Sequence, residues 1–227
     1  VSPKISVIIP AYNEEASLPH VLNDLPKDRL HQVIVVDNRS TDRTSEVARE
    51  NGATVVFENR QGYGQACLSG MAALDHPDIV VFLDGDYSDF PEEIDLLLEP
   101  ILKDEADFIV GSRMILKESR KALLPQARYG NQLAVFLIRL FFGHQFTDLG
   151  PFRAIRYESL RAIGMRDRNF GWTVEMQIKA VKKGLRIREV PVHYRARIGV
   201  SKITGTVSGT LKAGTKIIYT IFKYLIT

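Results

Sequence analysis

The first half of this chain repeats one unit several times: a short apolar run, a polar turn, then an amphipathic stretch of helical period. Ile5–Ile9, Val33–Val36, Thr54–Phe57, Ile79–Leu83 and Phe108–Val110 read as strands, because each is a brief, β-branched run without helical alternation. Helices are expected near Ala16–Leu25, Arg43–Asn51, Tyr63–Leu74 and Glu92–Lys103, with Gly52 where a helix end favours a left-handed residue. Alternation at this spacing calls for right-handed crossovers. The expected fold is therefore α/β, a mostly parallel, Rossmann-like sheet with helices on both faces.

A parallel sheet lines up the carboxyl ends of its strands along one edge, and open α/β sheets bind ligands there. Three acidic turns fall on that edge: Pro10-Ala11-Tyr12-Asn13-Glu14-Glu15, Asp37-Asn38-Arg39-Ser40-Thr41-Asp42, and Asp84-Gly85-Asp86. The third ends the run IVVFLDGDYSDFPE, Ile79 to Glu92, whose five successive apolar residues suit a strand buried on both faces. Gly85 adds no bulk between Asp84 and Asp86, so both carboxylates can face one ligand. Hard oxygen donors of this kind suit Mg²⁺ or Mn²⁺, with the diphosphate of a nucleotide supplying further ligands; a solvated turn is the plain alternative. Asp89, Pro91 and Glu92 read as the capped first turn of a helix.

Composition narrows the class. With 227 residues, 45% apolar and 25% charged, the chain suits one large soluble domain. The single Cys67 excludes an internal disulfide framework and fits a reducing, cytoplasmic compartment. No stretch resembles a signal peptide, and no apolar run is long enough for a bilayer-spanning helix. The net charge of +3 hides a division: residues 1–111 hold 8 Lys and Arg against 21 Asp and Glu, whereas residues 112–227 hold 22 against 6. The acidic half suits a cation and the basic half phosphates or an anionic surface, unless the halves simply attract each other across one fold. Neither Gly-x-Gly-x-x-Gly nor a Gly-x-x-x-x-Gly-Lys-Ser/Thr phosphate loop occurs, and no nucleic-acid partner is expected.

Val7-Ile-Ile-Pro-Ala-Tyr-Asn-Glu-Glu15, Val35-Val-Asp-Asn-Arg-Ser-Thr-Asp-Arg-Thr44 and Leu83-Asp-Gly-Asp86, in this order and spacing, resemble family 2 glycosyltransferases of the GT-A fold. Within that family the chain looks most like the dolichyl- or polyprenyl-phosphate mannose and glucose synthase group, and the similarity extends to about residue 205. The resemblance implies a nucleotide-diphospho-sugar donor, a divalent metal and an inverting displacement. It makes Pro10, Ala11, Tyr12 and Glu14 part of the nucleotide pocket and Asp37 a partner of the base. Asp84, Gly85 and Asp86 become the acidic motif, with Asp86 the direct metal ligand. The usual Asp-Asp-Gly-Ser is here Asp37-Asn38-Arg39-Ser40, which leaves uridine and guanosine both open. Gln61–Gln65 resembles the segment that closes over the nucleotide, with Arg60 and Gln65 as contacts. One domain is expected over 1–205, its halves 1–111 and 112–205 serving donor and acceptor, followed by an amphipathic helix over 206–227.

In the basic half, Arg113 after the fifth strand resembles a donor-phosphate contact, for which a planar guanidinium is suited. Residues 114–125 read as a mobile loop over substrate. Gln126–Phe142 reads as a core or interfacial helix, with Arg128 and Asn131 at the acceptor position of the polyprenyl-phosphate enzymes. Asp148 resembles a residue beside the reaction centre. Trp172 is a candidate platform for a sugar ring, and Glu175 is expected to point to the pocket. Tyr194–Lys202 resembles an Arg-x-x-Gly-x-Ser-Lys stretch with one slip, since Ala196 stands where arginine is expected. Arg195 or Arg197 takes its place, with Ser201 and Lys202 closing on the diphosphate. The apolar face of Thr210–Thr227, opposite Lys212, Lys216 and Lys223, suits anionic lipid, the chain's own domain or a partner.

The expected reaction moves a hexose from a UDP- or GDP-sugar to a polyprenyl-phosphate acceptor, with peripheral membrane contact. With a hydroxyl acceptor instead, Asp148 or Glu175 has to take the proton. A nucleotidyltransferase would open with a glycine-rich loop, and a receiver-like metal-binding module would leave the basic half without use.

Overall fold

The computed structural model describes residues 2–199 and 207–226. β1 (Ile5–Ala11), β2 (Gln32–Asp37), β3 (Thr54–Phe57), β4 (Ile79–Phe82), β5 (Phe108–Ser112), β6 (Arg153–Arg156) and β7 (Ile187–Pro191) form one sheet, ordered β3-β2-β1-β4-β6-β5-β7. Only β6 runs antiparallel to its neighbours, β4 and β5; the other pairings are parallel. The helices are α1 (Leu18–Asp24), α2 (Thr44–Glu50), α3 (Tyr63–Ala72), α4 (Ile94–Leu102), α5 (Lys117–Ala122), α6 (Pro125–Phe142), α7 (Tyr157–Ile163), α8 (Trp172–Lys182) and α9 (Val207–Leu225).

Strand residues alternate between two cores, one on each face of the sheet, because successive side chains leave a strand in opposite directions. Val7, Ile9, Val35 and Val81 meet Leu18, Leu22, Leu97 and Ile101 from α1 and α4. On the other face Ile8, Ile34, Val80 and Phe82 meet Ala66, Ile138, Met176 and Ile221 from α3, α6, α8 and α9. Each such aliphatic side chain withdrawn from water contributes about 1.5–3 kcal/mol, so the strand ends stand on a rigid base. Gly52, at φ +83°, takes the left-handed conformation expected after α2.

Two local expectations are corrected. Asp89 caps no helix: it is buried in an isolated bridge with Tyr194, and a 3-10 turn over Pro91–Glu93 leads into α4 without a side-chain cap. Residues 114–125 are not a bare loop but contain α5, which the Ser119 hydroxyl fastens to the Val192 carbonyl at 3.0 Å.

Candidate active site

The chain runs outward from β1 through β2 to β3, then crosses back to β4 on the other side of β1. This reversal opens a crevice at the carboxyl ends of β1 and β4. Register aligns the turns that follow, since Ala11 pairs with Asp37 and Ile8 with Phe82. The first two turns are also stitched together. The Asn13 amide donates to Ser40 Oγ at 2.9 Å, the Thr41 amide to Asn13 Oδ1 at 2.8 Å, and the Glu14 amide to Thr44 Oγ1 at 2.9 Å.

A cleft of about 490 Å³ opens there, with Pro10, Ala11, Tyr12, Glu14, Asp84, Gly85 and Asp86 along its strand-end wall. Asn38, Gln61, Gly62, Tyr63, Ala66, Asn169, Phe170, Arg197 and Lys212 complete it. Arg197 bridges the acids: Nη2 lies 2.8 Å from Glu14 Oε1, and Nη1 lies 3.1 Å from Asp86 Oδ2. The Ile198 amide adds a bond to the Asp86 carbonyl at 3.0 Å. Of the two arginines that could take this place, Arg195 is occupied elsewhere, its guanidinium 3.5 Å from the centre of the Tyr87 ring.

Asp86 Oδ1 accepts from the Ser88 amide at 2.9 Å, which fixes its orientation. Asp84 accepts from the Tyr63 hydroxyl at 2.9 Å, while burial and the neighbouring Asp86 charge push its carboxyl up to about 7. Asp89 lies deeper, and burial and the neighbouring Asp84 charge push its carboxyl well above the usual range. This is an excess of negative charge that a cation relieves, and a guanidinium already sits against it. Among the described residues no group of three His, Cys, Asp or Glu could hold a metal by itself. Two carboxylates on hard oxygens nevertheless fit Mg²⁺ or Mn²⁺ when water and a ligand's phosphates supply the remaining positions.

The family model for glycosyl transferase family 2 matches residues 6–164. The chain belongs to that family. Among curated relatives of this glycosyltransferase, an uncharacterized glycosyltransferase of Mycobacterium tuberculosis (strain ATCC 25618 / H37Rv) is 35% identical over 210 residues, 92% of this chain and 94% of the relative. The dolichyl-phosphate hexose transferase of Haloferax volcanii is 33% identical over 205 residues, 88% and 86% of the two chains. Glucosyl-3-phosphoglycerate synthase from M. tuberculosis in complex with UDP superposes with a TM-score of 0.78 at 25% identity, covering 98% of this chain and 80% of that one. The same enzyme with Mn²⁺, UDP-glucose and phosphoglyceric acid gives 0.78 at 23% identity over the same shares. The fold is thus that of a GT-A glycosyltransferase.

Several expected site residues lie outside this cleft. Asp37 is held within its own turn, accepting from the Ser40 amide at 2.8 Å and from Ser45 Oγ, and Asn38 faces the cleft instead. Gln65 turns to Glu58, Nε2 to Oε2 at 2.9 Å. Asp148 is wholly buried and takes Arg113 as a two-pronged partner, Nε and Nη2 each at 2.8 Å, so neither residue faces the cleft and Asp148 is not exposed to act as a base. Asn131 joins this structural group, donating to the Thr147 carbonyl and accepting from the Leu149 amide, while Arg128 stacks over Tyr129 at 5.6 Å. Trp172 is core rather than a sugar platform: it lies edge-on to Phe82 at 5.9 Å with 1% exposure. Glu175 does not point to the pocket. Fully buried, it accepts from the Arg166 and Asp167 amides and pairs with Lys179 at 2.8 Å. Trp172 is turned onto Phe82 at the end of β4, and Glu175 toward the loop at 166–167 and α9. Ser201 and Lys202 lie outside the described residues.

The cleft contains Tyr63, from the Gln61–Gln65 segment expected to close over the nucleotide, and also residues that sequence reasoning passed over: Asn169, Phe170 and the inward placement of Lys212. One signal for them was present in Gly62-Tyr63-Gly64. A Cβ on Gly62 would stand 2.2 Å from the Arg168 carbonyl oxygen, and one on Gly64 2.2 Å from that of Asp167. Those glycines admit the backbone of the loop that carries Asn169 and Phe170.

Proposed function

We propose that this family 2 glycosyltransferase moves a hexose from a UDP-sugar to the phosphate of a polyprenyl phosphate, with Mg²⁺ or Mn²⁺, at the cytoplasmic face of a membrane. The observation that carries the reading is the cleft itself, in which Glu14 and Asp86 hold a cationic side chain beside Asp84 at the switch point of the sheet. Support for uridine comes from the mycobacterial synthase, whose structures hold UDP and Mn²⁺ in this fold. Support for the acceptor comes from the Haloferax relative, which by name transfers hexose to dolichyl phosphate.

The carboxylates add a physical argument. Asp148 and Glu175, the acids a hydroxyl acceptor would need as bases, are both buried in ion pairs. An anionic phosphate oxygen needs no base. It attacks the anomeric carbon, the bond from that carbon to the donor's diphosphate oxygen breaks, and the nucleoside diphosphate leaves with the bonding pair. A divalent cation held by Asp84 and Asp86 would neutralise the charge gathering on the diphosphate. Arg197, already cationic at this spot, complements the same charge, and preorganised groups of this kind stabilise a transition state without rearranging when it forms. The Pro10–Tyr12 wall and Asn38 receive the nucleoside.

The test is release of nucleoside diphosphate by purified protein with Mn²⁺ and a panel of UDP- and GDP-sugars, in three arms: polyprenyl phosphate, the corresponding polyprenol, and 3-phosphoglycerate. Turnover only in the first arm, with a UDP-sugar, is expected. Turnover with the polyprenol or phosphoglycerate alone would sink the phosphate-acceptor reading.

A further inference from the structure

α6 and α9 pack side by side, Phe141 against Phe222 at 5.4 Å between ring centres. Each has a buried face toward the sheet, supplied by Ala134 and Ile138 in α6 and by Thr220 and Ile221 in α9. Each also carries a second apolar stripe turned outward. On α6, Tyr129, Leu133, Phe136 and Leu140 recur at helical spacing and are 52–63% exposed. On α9, Leu211, Tyr219, Phe222 and Leu225 form the equivalent stripe, 43–66% exposed. Since Phe222 belongs to the outer stripe and also touches α6, the two stripes adjoin. An uncovered apolar patch of this extent on a folded domain marks a docking surface.

Its charge identifies the occupant. Neither helix contains a single Asp or Glu, whereas Arg128 and Arg139 border the stripe on α6 and Lys223 borders that on α9, with Lys212 and Lys216 turned to the cleft and to Asp167. Two copies of such a face would oppose cations to cations across a symmetric interface. Apolar side chains flanked by lysine and arginine instead match the boundary between acyl chains and anionic headgroups. No described helix is long and apolar enough to cross a membrane.

We propose that α6 and α9 together form the surface by which this enzyme docks, in the membrane plane, on a bilayer containing anionic lipid. This rests in part on the lipid-phosphate reading of the cleft, and it adds an orientation. α9 reaches from the bilayer face to the donor cleft, where Lys212 forms part of the wall, and Lys216 ties it to Asp167 beside the Asn169–Phe170 loop at 2.8 Å. Docking through α9 therefore fixes the cleft mouth near the headgroups, where a lipid-borne phosphate stands.

The experiment is co-flotation of the purified protein with vesicles of phosphatidylcholine alone and of phosphatidylcholine with phosphatidylglycerol, beside sedimentation velocity without lipid and UDP binding in solution. The wild type is expected to float with the anionic vesicles only, and raised salt should weaken it. The triple variant Phe136→Ser, Leu140→Ser, Phe222→Ser should lose about tenfold or more in vesicle affinity, and Arg139→Glu with Lys223→Glu a similar amount. Both variants should keep wild-type UDP affinity, which reports an intact fold. The proposal is overturned if the wild type ignores anionic vesicles, or if it sediments as a dimer that the triple substitution dissociates. Failure of the acceptor reading looks different: vesicles are bound, yet polyprenyl phosphate receives no sugar.

Discussion

Asp84 concentrates the electrostatics of the cleft in one side chain. Its carboxyl is pushed up to about 7 by burial and by Asp86, well above the usual aspartate range. A folded-state pKa above the unfolded one means that the folded state binds the proton more tightly. The stabilising contribution of this group is complete below about pH 4 and is lost as pH rises to about 7. Metal binding needs the carboxylate, so the sign reverses once a cation is present. The melting temperature without metal should fall over that window more steeply than in Asp84→Asn, and the increment produced by Mn²⁺ should grow from pH 6 to pH 8; thermal unfolding with and without Mn²⁺ checks both. Asp86→Asn should retain the wild-type unfolding free energy without metal to within about 1 kcal/mol, yet lose transfer by about 100-fold or more, read as nucleoside diphosphate release.

At the scale of elements, Glu175 is the residue whose role changes most between sequence and structure. It joins α8 to the loop at 166–167 and to α9, whose Tyr224 hydroxyl donates to it. Removing a fully buried charge partner leaves Lys179 uncompensated, so Glu175→Ala should cost about 3–5 kcal/mol in chemical denaturation. Its effect on transfer should follow the folded fraction and not a lost proton transfer. The strands, the acidic turns and the family motifs were legible in the sequence because a parallel sheet places every strand's carboxyl end on one edge. Asp148, Trp172 and Glu175 were not legible in the same way. Their motifs mark where the chain comes near the site, but motif order carries no information on which side of a helix faces the sheet. Arg197 was left as one of two options, because a choice between residues two apart depends on the Tyr87 and Phe90 rings that hold Arg195. Asn169 and Phe170 were hidden for a plainer reason: lining of this kind comes from a loop distant in sequence from the strand ends.

Over the whole molecule, the division into an acidic and a basic half has two consequences, both visible in the structure. Arg186 and Arg188 pair with Asp104, Asp107 and Glu105 at the outer end of the sheet, so part of the division is simple attraction across one fold. Exposed pairs of this kind contribute little individually, and Arg186→Ala should leave the urea unfolding midpoint close to that of the wild type. The remainder is separation of duties, with acids at the cleft and an acid-free basic surface on α6 and α9. The central claim is that Asp84 and Asp86 prepare a place for a metal-bound nucleoside diphosphate. Calorimetric titration of UDP into the protein at pH 8, with Mn²⁺ and then with EDTA, tests it directly. The account predicts binding at least about tenfold tighter with Mn²⁺; equal affinity in both titrations would contradict it.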